Sequence, residues 1–269
     1  MTSYLKYLLQ RKSEYGIHSP FVYDFMRKVL NDSGSNRDYD TIYRVARLLD
    51  KRKYIHYNLR KQSRLLYRMV RYFEPDSVVS FGRLTALNTT ALALGHLQTK
   101  IYLEQSDDFL ETLNSMGIVN VNLIQPAEFD SEHFRRLNTG FVFFSRASFE
   151  DDTWDYLVDC LNYKTADSVF VFEGIHHNRD MEDAWEEIKG NEDVSVTLDL
   201  YCIGMVFFRE GIEKQDFVLK YWSLIPQNMQ NLQNNGQSGE STPTGSFPAA
   251  MRLRSRHNQR KVLKVLSVL

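Results

Sequence analysis

The run Val194-Ser195-Val196-Thr197-Leu198-Asp199-Leu200 is followed, after only Tyr201-Cys202, by Ile203-Gly204-Met205-Val206-Phe207-Phe208-Arg209. Both runs are rich in β-branched and aromatic residues, so both read as strands. A two-residue gap is too short for a helical crossover, so the two strands form an antiparallel hairpin. Upstream, short apolar runs at 77–81, 100–104, 119–124, 140–145 and 168–173 alternate with amphipathic stretches at about 86–97, 107–116, 127–138, 151–164 and 179–190. Alternation of this kind predicts an α/β fold with a mostly parallel, doubly wound sheet. The expected sheet has seven strands: five parallel ones, then the hairpin.

The first 72 residues read differently. Leu5, Leu8 and Leu9 recur at helical spacing, as do Phe21, Phe25, Met26 and Val29. Ser19-Pro20 suits a helix start, with Ser19 as N-cap and Pro20 in the first turn. Asn31–Asp40 has loop composition, and a helical stretch covers about 40–72. Residues 1–72 are therefore expected to be a helical extension to an α/β domain at 73–226. Residues 211–224 read as one more helix or as a strand extension. Residues 227–250 have the Gln, Asn, Gly and Ser content of a disordered linker, and 251–269 read as a basic amphipathic tail.

The net charge of −1 hides an asymmetry. Residues 1–72 carry 16 Lys and Arg against 6 Asp and Glu, residues 73–226 carry 11 against 27, and residues 227–269 carry 6 against 1. Either the basic ends neutralise the acidic middle, or they meet a protein or anionic-surface partner. The acidic middle argues against a nucleic-acid groove through the domain. Two cysteines cannot build a disulfide framework, which points to a reducing, cytoplasmic setting. No apolar run reaches membrane-spanning length, and Met1–Lys12 has no signal-peptide pattern.

In a doubly wound sheet, ligands bind beyond the carboxyl ends of the strands. The first strand is followed by Phe81-Gly82-Arg83-Leu84-Thr85-Ala86, where Gly82 permits close backbone approach. Glu104 ends the second strand, 22 residues after Gly82, where a carboxylate accepts both hydroxyls of a ribose. The fourth strand ends at Ser145. The fifth ends in Glu173-Gly174-Ile175-His176-His177-Asn178, the densest polar cluster at any strand end, and offers Glu173 or His176 as a general base. A metal site is not expected there, because adjacent histidines point apart and no third ligand is placed. His18 either has a loop function or caps the following helix.

Tyr15-Gly16-Ile17-His18-Ser19-Pro20-Phe21-Val22-Tyr23 resembles the N-terminal signature of a family of bacterial class I S-adenosylmethionine (SAM)-dependent methyltransferases. The stretch 78–95, Gly174-Ile175-His176 with Met181–Trp185, and the hairpin 199–209 are similar to the same family in the same order. The resemblance implies a Rossmann-like methyltransferase fold over about residues 1–224, with the N-terminal helices as a lid. It implies SAM as cofactor, a small-molecule acceptor, and cofactor-binding roles for Gly82, Thr85, Ala86 and Glu104. The ligand face departs from the family pattern. Ser80 and Ser145 stand in place of acids, Ala86 in place of a second glycine, and Glu173-Gly174 in place of an Asp pair. Two functions follow as expectations: a methyltransferase, with Glu173 or His176 at the acceptor and activity weakened by these changes, or an inactive relative that serves as a binding or scaffold module.

Overall fold

The computed structural model describes residues 3–13, 16–31, 36–49, 57–105, 109–124, 140–145 and 154–221. The helix expected at 127–138, the linker at 227–250 and the tail at 251–269 lie outside them. Four helices come first: α1 (Ser3–Gln10), α2 (Pro20–Phe25), α3 (Arg37–Leu49) and α4 (Tyr57–Phe73). Ser19 caps α2 by accepting from the Val22 amide, and Pro20 fills the first turn as the sequence predicts. A π-helical turn, Met26–Leu30, extends α2. His18 is exposed, and the cap is Ser19's. The expected loop ends early, because α3 begins at Arg37, where the Asn36 side chain accepts from the Asp38 amide.

Strands and helices then alternate: β1 (Ser77–Arg83), α5 (Ala86–Gly95), β2 (Lys100–Gln105), α6 (Leu110–Ser115), β3 (Val121–Leu123), β4 (Phe141–Phe144), α7 (Trp154–Tyr163), β5 (Val169–Glu173) and α8 (Arg179–Gly190). They are followed by β6 (Val196–Asp199), β7 (Ile203–Phe207) and β8 (Gln215–Val218). The order across the sheet is β3-β2-β1-β4-β5-β7-β6-β8. All neighbours from β3 to β5 are parallel, and β7 runs antiparallel to both β5 and β6. The Rossmann-like sheet with its terminal hairpin is as expected, but it has eight strands rather than seven. The eighth comes from the ambiguous segment at 211–224. Gly211, at φ +71, turns the chain, and β8 then pairs parallel with β6, burying Phe217 beside Leu198. The chain leaving α1 meets the end of β8: the Lys12 amide donates to the Val218 carbonyl at 2.7 Å, and the Lys220 amide donates to the Lys12 carbonyl at 3.0 Å.

Alternation along the strands sends side chains into two cores. Val78, Leu103, Phe143 and Val171 pack with Leu66, Met69 and Val70 of α4. Phe81, Phe144, Phe170 and Phe172 pack on the opposite face with Leu157 of α7 and Trp185 of α8. Gly204 makes the Trp185 position available. A Cβ at residue 204 would lie 2.8 Å from Trp185 Cη2 and Cζ3 and 2.9 Å from Ile175 Cγ2.

Candidate active site

Strand register fixes what meets at the carboxyl ends. Phe81 of β1 pairs with Phe144 of β4, and Phe144 pairs with Phe172 of β5. One residue further on, Gly82, Ser145 and Glu173 therefore lie side by side. The sheet order reverses direction between β1 and β4, which makes this the topological switch point where ligands bind in such sheets.

Gly82 adopts φ +73, a left-handed backbone that favours glycine. This turns its N–H toward β2, where it donates to Glu104 Oε2 at 2.6 Å. The contact fixes the carboxylate against the loop that follows β1. Thr85 caps α5 by accepting from the Asn88 amide at 3.2 Å, and its own O–H remains a donor. Ala86 is the first residue of α5 and is buried in the core cluster that also holds Leu84 and Leu92, so packing takes up its methyl group. Among the described residues, Ser80 Oγ, Asn88 Oδ1 and Thr89 Oγ1 are buried without a hydrogen-bond partner. They lie just before and just after the Gly82 loop in the chain. Leaving such an atom unsatisfied costs about 1–3 kcal/mol.

At the end of β5, Glu173 Oε1 accepts from Gln62 Nε2 at 2.6 Å, and Gln62 is a buried residue of α4. The N-terminal extension thus reaches the candidate site. His176 has a different setting. Its Nε2 lies 2.7 Å from Asp199 Oδ2, its Nδ1 lies 3.4 Å from Glu182 Oε1, and its ring stacks on Tyr201 at 5.1 Å. The His176 side chain is 14% exposed. Burial pulls its pKa down, but the hydrogen bond and charge of Asp199, with Glu182 beyond, outweigh this and hold it above the ordinary value. Tyr201 in turn meets Tyr4 and Tyr7 of α1 at 5.0 and 5.3 Å, and the Tyr7 hydroxyl donates to the Leu219 carbonyl.

The structure therefore brings Gly82, Glu104, Ser145 and Glu173 to one end of the sheet and draws His176 into a separate cluster. Sequence reasoning missed Gln62, Glu182, Asp199 and Tyr201. Asp199 left one signal, a lone carboxylate at the end of an otherwise apolar strand. Among the described residues, no group of three or more His, Cys, Asp or Glu is placed to hold a metal ion, and no helix is long and apolar enough to cross a membrane.

No protein-family model matches the chain, and no curated protein matches it. Solved structures do. A methyltransferase of Podospora anserina bound to S-adenosylhomocysteine (SAH) is 11% identical, with 72% of this chain and 97% of that chain covered and a TM-score of 0.49. An O-methyltransferase of Bacillus cereus in complex with SAH is 13% identical, with 70% and 97% covered and a TM-score of 0.46. The O-methyltransferase TomG of Streptomyces achromogenes, in complex with SAM, is 15% identical, with 70% and 95% covered and a TM-score of 0.46. With identities and TM-scores this low, any function must be read from the residues at the switch point.

Proposed function

We propose that this chain binds SAM at the carboxyl ends of β1 and β2 and transfers its methyl group to an oxygen or nitrogen of a small-molecule acceptor. The observation that carries this reading is the pairing of Gly82, in a left-handed turn, with the Glu104 carboxylate across β1 and β2 at the switch point. Glu104 would accept the ribose hydroxyls, the Gly82 backbone would let the nucleoside approach, and the Thr85 hydroxyl would donate to it. The buried polar atoms of Ser80, Asn88 and Thr89 fit a polar ligand at this place. When bound, the cofactor supplies an electrophilic methyl group on sulfur. What remains for the protein is chiefly alignment, so few catalytic groups are needed. Glu173, oriented by Gln62, is the acceptor-side carboxylate. His176, hydrogen-bonded to Asp199 with Glu182 nearby, fixes the hairpin in this reading. A cytoplasmic setting belongs to the same reading.

A second reading, an inactive relative that serves as a binding or scaffold module, draws support from Ser80 and Ser145, which put hydroxyls where the resembled family has acids. Titration with SAM and SAH, followed by an assay of transfer from labelled SAM to a panel of small-molecule acceptors, separates the two. Binding with transfer supports the enzyme, binding without transfer on any acceptor supports the scaffold, and absence of binding defeats the cofactor assignment.

A further inference from the structure

We infer that Arg60 and Arg64 of α4, with Tyr43 of α3, form a binding site for a phosphate-type oxyanion. The Arg60 guanidinium lies over the Tyr43 ring at 5.1 Å. The Arg64 guanidinium lies over the rings of Tyr39 and Tyr43 at 4.7 and 5.5 Å, and its Nε donates to the Tyr43 hydroxyl. Two positive charges thus flank one tyrosine. No ion pair among the described residues involves either arginine, nor the neighbouring Arg44 and Arg47 of α3. The carboxylate of Asp38, on the first turn of α3, is engaged elsewhere, accepting from the Tyr67 hydroxyl at 2.6 Å.

Among the described residues, the cluster has more donors than acceptors: the Tyr43 hydroxyl accepts from Arg64 Nε and the Tyr43 carbonyl from Arg47 Nε at 3.3 Å. Arg60 Nε is buried with no partner. Arg64 spends only its Nε on Tyr43, which leaves its terminal nitrogens, and guanidinium groups cannot accept. The Tyr43 oxygen accepts from Arg64, which leaves its O–H as a donor. Burial raises the Tyr43 pKa against the opposing effect of Arg64 and Arg60, so that proton is present at neutral pH. Like charges held together beside an orphaned N–H are relieved by an anion with several oxygens, and the planar fork of arginine matches phosphate. The chemistry does not suit stacked nucleobases: Tyr39 and Tyr43 are 4% and 8% exposed, with the guanidinium groups over their faces. The site adjoins the candidate active site through α4, since Gln62, two residues from Arg60, is the residue that reaches Glu173.

The test is calorimetric titration of the full chain with inorganic pyrophosphate at low salt, using the wild type and the variants Arg64→Gln and Tyr43→Phe. Tyr43→Phe retains the ring and serves as the variant least able to disturb folding. Saturable binding is expected, weakened about tenfold by Arg64→Gln and severalfold by Tyr43→Phe. Cosedimentation with phosphatidylcholine vesicles containing phosphatidic acid tells whether a lipid headgroup or a soluble phosphate is the source. Vesicle binding that depends on Arg64 identifies the headgroup, and pyrophosphate binding alone identifies a soluble ligand. Absence of both, or binding that neither variant weakens, overturns the inference. SAM affinity is expected to be the same in both variants, so this site and the cofactor site stand or fall separately.

Discussion

His176 Nε2 lies 2.7 Å from Asp199 Oδ2, tying the turn after β5 to the end of β6. The pair has a consequence for pH. The folded-state pKa of His176 is raised above its unfolded value, so its contribution to stability is fully present below the unfolded pKa of about 6.5 and is lost as pH rises through the folded value. Thermal unfolding of the wild type and of His176→Gln, compared from mildly acidic to mildly alkaline pH, should show the wild-type advantage shrinking across that window. An advantage that stays constant or grows with pH would mean that the ion pair does not control this contact. Because Tyr201 stacks on His176 and meets Tyr4 and Tyr7, proteolysis at α1 is expected to quicken over the same range.

Gly204 is a packing glycine. Its missing Cβ is where the Trp185 ring and the Ile175 methyl sit, at 2.8 and 2.9 Å. Trp185 is fully buried and cannot swing away without leaving a cavity. Gly204→Ala should therefore destabilise the fold by about 1–3 kcal/mol, the usual cost of overpacking a core. Denaturant unfolding measures this, and adding Trp185→Phe to Gly204→Ala should recover part of the loss, since residues in contact are not additive. A double variant worse than the sum of the single changes would contradict the contact.

Ser80 decides whether the ligand face is weakened relative to the family the sequence resembles. Its hydroxyl is buried in the middle of β1 with no partner among the described residues. In Ser80→Asp, a buried carboxylate lacking a partner lowers stability in the free protein, and a cationic ligand group restores it. The rise in melting temperature caused by saturating SAM should then be larger in Ser80→Asp than in wild type. An equal or smaller rise would mean that Ser80 does not face the cofactor.

Much of this was legible in the sequence because period-2 patterning and connection length are local signals. The gap Tyr201-Cys202 alone settled the hairpin, and the Ser19-Pro20 pair settled the start of α2. Strand β8 was ambiguous because four residues, Gln215–Val218, are too few to show a period, and its pairing depends on β6 and on the N-terminal segment, both distant in sequence. Gly82 and Glu104 were found from strand-end logic, since register carries them to neighbouring strand ends. Gln62 and Glu173 are 111 residues apart and His176 and Asp199 are 23 apart, with no spacing rule to join them. Polar pairs of that kind are products of tertiary packing. Hence the sequence offers His176 as a base without showing that Asp199 lies beside it.

In the proposed function Glu104 accepts the ribose hydroxyls of SAM beside the Gly82 turn. Calorimetric titration of the full chain with SAM and with SAH tests it most directly, with Glu104→Ala as the control. Glu104→Ala also removes the acceptor of the Gly82 amide, so the variant tests the carboxylate together with the turn it holds. Hydrogen bonds to a charged group are worth about 1.5–3 kcal/mol, so micromolar binding to the wild type should weaken roughly ten- to hundredfold in the variant. Absence of binding to the wild type up to millimolar ligand, or equal affinity in Glu104→Ala, would contradict the account.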